Sequence, residues 1–75
     1  MVTMHRHGNW KIAVYGAEHG MPHFHIEGPD FRCSVSIETR EVIIGDAPPR
    51  VLAEARVWAA VNQAALAAKW QELNG

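Results

Sequence analysis

The fold class this 75-residue sequence predicts is α+β, an antiparallel β-meander of three to four strands with a C-terminal helix or bent helix pair packed on one face. Three observations predict it. Apolar residues alternate in "WKIAVYG" from Trp10, the central run "HFHIEGPDFRCSVSI" can be paired with itself in matching polarity, and a helical period begins at Val51. Residues 1–75 form a single domain, because a chain this short cannot build two cores.

In the first element, Trp10, Ile12 and Val14 share one strand face, while Lys11, Ala13 and Tyr15 share the other. The preceding "HGN" is a turn signal, so residues 3–6 are expected to form a short strand folded back onto it. In the central run, Pro29 and Asp30 suit the middle of a turn, since proline presets the backbone angle required there. Phe24 then faces Val35 and Ile26 faces Cys33 on one side. His23 faces Ser36, His25 faces Ser34 and Glu27 faces Arg32 on the other. A slip of one residue would set phenylalanine against serine, so the register is well specified. A second hairpin, turning at Thr39 and Arg40, is expected to bring Val42 and Ile44 to the core face and Ile43 to the outer face near His23.

Asp46 is expected to cap the helix that follows, with prolines 48 and 49 in a first turn that needs no donors there. At about 100° per residue, Val51, Leu52, Ala55, Trp58, Ala59, Leu66, Trp70 and Leu73 fall in one stripe, with Trp58 and Trp70 as its anchors on the sheet. One straight helix of this length would reach about 37 Å and overhang strands of about 20 Å. Either the chain bends near Asn62, giving two shorter helices, or the far half packs on something else; the bend is the favoured expectation. The opposite side, with Val57, Val61 and several alanines, is less polar than a helix facing only water, although alanine is also the best helix former.

Composition narrows the function. Net charge is −1 with neutral histidines, which gives no basic field for a phosphate backbone, so direct nucleic-acid binding is not expected. No apolar run is long enough to cross a membrane, and the first residues lack the apolar core of a signal peptide. The one cysteine, Cys33, cannot form an internal disulfide, and a cytoplasmic location is expected.

Three of the five histidines lie in "EHGMPHFHIEG". His23 and His25 project in parallel from one strand face, about 7 Å apart at the backbone. The plainest reading is a polar ladder of imidazoles over serines. A second is zinc or another divalent transition metal on His19, His23 and His25, with His5 or His7 in reach if the first hairpin lies alongside; no cofactor is otherwise expected. A third makes His23 and His25 the base and acid of a ribonuclease, but only Arg32 is at hand to hold phosphate charge. The residues lean away from an enzyme.

The residues from Glu18 to Asp46 and the helical tail resemble the bacterial domain of unknown function 4160 family, over most of residues 8–75. The features that carry the resemblance are Glu18, His19, Pro22, His23, His25, Trp58 and Trp70. Met21 stands where many members have proline, and Arg40 where glycine is usual, which implies a different turn. The resemblance implies a small protein partner, since such genes often adjoin one for another small domain, of unknown function 2442, in toxin-antitoxin-like pairs. The function expected is therefore a small cytoplasmic protein-interaction domain. Its partner surface would be His19, His23, His25, Arg32 and Ser34 or the alanine-rich helix side, with a homo-oligomer as the alternative assembly.

Overall fold

A computed structural model describes residues 1–75 as five strands followed by two helices. These are β1 (Val2–His7), β2 (Trp10–Val14), β3 (His23–Glu27), β4 (Arg32–Ser36), β5 (Val42–Asp46), α1 (Pro49–Val61) and α2 (Gln63–Asn74). The strands lie in one antiparallel sheet in chain order, a meander with β1 and β5 as its edges. The expected count of three to four strands was low. β1 is six residues long, but its alternation is broken by a bulge at Met4, between Thr3 paired with Ala13 and His5 paired with Ile12. Gly8, at φ 60, takes the turn position that glycine accepts most readily.

The central hairpin has the register its polarity dictates, with Phe24 opposite Val35, Ile26 opposite Cys33, His23 opposite Ser36, His25 opposite Ser34 and Glu27 opposite Arg32. The second hairpin differs in phase. Val42 does pair with Val35 on the core side, but Ile43 is an extra residue, so Ser34 meets Ile44 and Cys33 meets Gly45. Ile44 therefore projects from the outer face, 70% exposed, instead of into the core. Gly45 makes this possible: at φ 81 it takes a left-handed conformation, and a Cβ there would collide with the Arg32 carbonyl. Arg40 also adopts the left-handed region, at φ 63, so the turn keeps the shape glycine would give it. The Arg56 Nε donates to the Arg40 carbonyl at 2.8 Å and helps to hold it there.

Asp46 ends β5 and caps nothing. Pro48 is the N-cap residue and makes no side-chain bond. Prolines 48 and 49 have no N–H to satisfy, which removes much of the need for a capping side chain. The apolar stripe of the helices behaves as expected: Ala55, Ala59, Leu66 and Trp70 are buried against Ile12, Phe24 and Ile26, and Val51, Leu52, Trp58 and Leu73 flank them.

The helix breaks at Asn62 (φ −109, ψ 22), whose side-chain amide donates to the Trp58 carbonyl at 2.9 Å. Beyond the break, α2 crosses the end of the sheet. At its start, Gln63 Nε2 donates to the carbonyls of Ile37 and Glu38 at 2.8 and 3.1 Å. At its end, Asn74 Nδ2 donates to the Tyr15 carbonyl at 3.0 Å, and Asn74 Oδ1 accepts from the Glu18 amide at 2.9 Å. The bend thus lets one stripe serve two surfaces, with α1 on the face and α2 along the strand ends.

Candidate functional site

The outer face of the sheet is not a bare ladder. The loop between β2 and β3 folds over it, turning through Ala17 (φ 56) and Gly20 (φ 90). A left-handed alanine costs roughly 1–2 kcal/mol, and the bonds from Asn74 on either side of Ala17 hold it in place. This turn aims Glu18 inward. Its Oε1 accepts from His25 Nε2 at 2.8 Å and lies 3.0 Å from His23 Nε2. Both rings are largely covered, with 9% and 12% of their side-chain surfaces exposed.

The other ring atoms are engaged too. His23 Nδ1 lies 2.9 Å from the Met21 carbonyl, which can only accept, so this nitrogen carries a proton. His25 Nδ1 meets the Ser34 hydroxyl at a long 3.4 Å. Aromatic groups fix both planes: the Tyr15 ring stands edge-on to His25 at 4.7 Å, and Trp70 is tilted against His23 at 4.8 Å. The hydrogen bond from His25, reinforced by both imidazoles, pulls the Glu18 carboxyl below its ordinary pKa against the opposing effect of burial.

A second polar cluster adjoins the first. Glu27 accepts from the Tyr15 hydroxyl at 2.7 Å and forms an ion pair with Arg32, whose Nε lies 3.0 Å away. The Arg32 guanidinium also lies over the Tyr15 ring, 5.5 Å from its centre. The bond to Glu27 raises the pKa of the Tyr15 phenol, with burial adding to the shift. A raised folded-state value means that this stabilisation is complete below the phenol's ordinary value of about 10 and is lost as pH climbs through the folded value. Tyr15→Phe is therefore expected to cost about 1.5 kcal/mol at pH 7 and progressively less above pH 10, as read by urea unfolding at each pH. An unchanged gap between the two proteins across that range would exclude this source of stability.

The residues expected at the site separate into groups. His23 and His25 come together, but their third partner is Glu18 and not His19. His19 is exposed and reaches only the rim of a hollow shared with His23. His5 and His7 lie on the helix side of β1, where His5 stacks on Trp58 at 4.8 Å and His7 pairs with Glu54 at 3.4 Å. The ladder is half formed: Ser34 reaches His25, whereas Ser36 Oγ accepts from the Thr39 amide at 3.2 Å. Cys33 is buried and unpaired on the core side, where burial raises its thiol pKa.

Glu18 is the functional residue that spacing alone does not mark, and only the family resemblance names it. Its signal was present: a glutamate inside a loop punctuated by Gly16, Gly20 and Pro22, just before two histidines on one strand face.

Two shallow hollows border the cluster, each of about 200 to 280 Å³. One is rimmed by His19, Met21, His23 and Ile43, the other by His25, Arg32 and Cys33, and Ser34 and Ile44 line both. Met21, Ile43 and Ile44 are exposed to 56%, 47% and 70%, so an apolar margin surrounds the histidines. The largest hollow, about 460 Å³, lies on the far side of Pro22 between α2 and the second hairpin. Its only ionisable side chain is Glu38, so it offers no comparable chemistry.

The family model described as Domain of unknown function (DUF4160) matches residues 9–71. No curated protein and no solved structure matches the chain. No helix is long and apolar enough to cross a membrane.

Proposed function

The chain belongs to the DUF4160 family, a domain family of unknown function, and from that premise we propose that it is a small protein-interaction domain whose outer face and β5 edge receive a partner. The observation that carries this reading is the apolar margin of Met21, Ile43 and Ile44 around hollows lined by all five residues expected to bind: His19, His23, His25, Arg32 and Ser34. His25 and Ser34 are themselves buried, so they support the surface from beneath, while His19 and Arg32 are exposed to a partner.

The two sheet edges differ. β1 carries His5, Arg6 and His7, polar groups of the kind that discourage strand addition. β5 presents Ile43 and Ile44 beside unpaired backbone, an arrangement that favours pairing with an extended apolar segment. The partner is the product of a neighbouring gene, in a two-component arrangement of the toxin-antitoxin kind, as the family resemblance implies. A reducing cytoplasm suits the single buried thiol.

Light scattering after size exclusion tests the reading, on the chain alone and mixed with the product of the neighbouring gene. A stoichiometric complex that Ile44→Lys abolishes and Val61→Lys leaves intact is expected. Val61, 81% exposed on α1, serves as the control for charge added elsewhere. A strict monomer that ignores the neighbouring product would overturn the proposal.

A further inference from the structure

We propose that Glu18, His23 and His25 form a binding site for one divalent first-row transition-metal ion, with the hollow beside His23 open to its remaining ligands. The argument begins with ligand type. Two imidazole nitrogens and one carboxylate oxygen are a donor set that suits zinc, iron, cobalt or nickel, and three protein ligands leave positions for water or substrate.

Distances agree with that set. A metal with ligands at about 2.1 Å and right-angle geometry has neighbouring ligand atoms about 3.0 Å apart. Glu18 Oε1 lies 2.8 and 3.0 Å from the two Nε2 atoms, and one donor atom from each residue falls within 4.8 Å of the others. Two of the three separations already suit coordination, and the imidazoles need only close toward one another from within the 4.8 Å span of the set.

The surroundings point the same way. Histidines that bind metal almost always donate their other ring N–H to a carbonyl, carboxylate or water, which fixes the tautomer and aims the free lone pair. His23 does this through Nδ1 to the Met21 carbonyl, so Nε2 is the atom presented to Glu18. With the proton on Nδ1, the Nε2 lone pair faces Glu18 Oε1 at 3.0 Å, two donor atoms turned toward the place that a shared cation would occupy. Tyr15 and Trp70 clamp the two rings from the sides, so the donors are held in place before an ion arrives.

Other residues are placed to stay out of the site. Glu27 is occupied by Tyr15 and Arg32, Cys33 points into the core, and His5 and His7 lie on the opposite face of the sheet. The hollow of about 200 Å³ lined by His19, Met21, His23 and Ile43 is large enough for water or a small anion beside the ion.

The test titrates Co(II) into full-length protein purified without an affinity tag and stripped with chelator, reading visible absorption and competing with Zn(II). One ion per chain, displaced by Zn(II), is expected. Glu18→Gln and His25→Gln should each weaken binding at least tenfold, while His5→Asn with His7→Asn changes it less than twofold. Binding that survives Glu18→Gln, or that disappears in the His5 and His7 variant, would overturn the site, as would absence of binding to the unmodified chain at millimolar Co(II). Should a variant fail to fold by circular dichroism, amide spectra of the unmodified protein with Mn(II) decide. Broadening centred on residues 17–20 and 23–26 supports the assignment, and broadening centred on residues 5–10 refutes it.

Discussion

Trp70→Ala is expected to remove about 3–5 kcal/mol of folding stability, the usual range for truncating a buried tryptophan. Trp70 is only 7% exposed, and it touches both the apolar core and the His23 ring. Domains are stabilised by about 0.05–0.15 kcal/mol per residue, which for this chain gives roughly 4–11 kcal/mol in total. The substitution therefore consumes between about a quarter and all of it. Urea unfolding measures the loss directly, with the midpoint falling sharply if the slope is preserved. A second readout follows from the tilted contact at 4.8 Å: ring-current displacement of the His23 carbon-bound protons should vanish in the variant. A loss under about 1 kcal/mol would show that α2 is held by its terminal hydrogen bonds rather than by this side chain.

Phe24→Ala should cost a similar amount by a different route. Phe24 is completely buried in the middle of β3 and pairs with Val35 on the core face, so the change leaves a cavity beneath the two central strands. Phe24→Leu, which fills more of that space, should lose distinctly less. His23 and His25 flank Phe24 on the same strand, so a loosened β3 also loosens their bonds to Glu18. Chemical denaturation of the three proteins, compared with Tyr15→Phe, separates core loss from polar loss. Equal stability of the alanine and leucine variants would contradict a tightly packed site.

Much of this architecture was legible in the residues, and the reasons differ from element to element. The central hairpin could be registered because Pro29 and Asp30 suit the turn and every cross-strand pair then matches in polarity, whereas a slip of one residue would set phenylalanine against serine. The length mismatch pointed to a bend at Asn62 or to a separate packing surface for the far half, and the break at Asn62 shows it to be the bend. β5 was placed a residue out of phase because a bulge leaves no mark in periodicity. Its sign is a single glycine, Gly45, whose left-handed conformation is evident only beside the Arg32 carbonyl. The helix start differs for a related reason: Asp46 is a good capping residue, but the proline at 48 disfavours a helical Ala47 and itself stays extended at ψ 140, so the helix begins at Pro49.

The site was legible in part. The shared face of His23 and His25 comes directly from the two-residue period of a strand. Glu18 as their partner does not, because its direction depends on a left-handed turn at Ala17 and on Asn74 at the far end of α2, neither of which has a local signature. His19 looked the better third ligand by proximity in sequence, yet the same turn sends it outward.

The clasp between Glu18 and Asn74 joins positions 56 residues apart. During synthesis, the strands of the meander can pair as each leaves the ribosome, whereas the carboxylate over the imidazoles gains its anchor only once residue 74 has been translated and has cleared the exit tunnel. The pocket is thus completed after the sheet that carries it, and a nascent polypeptide arrested within α2 would display a sheet without a finished centre.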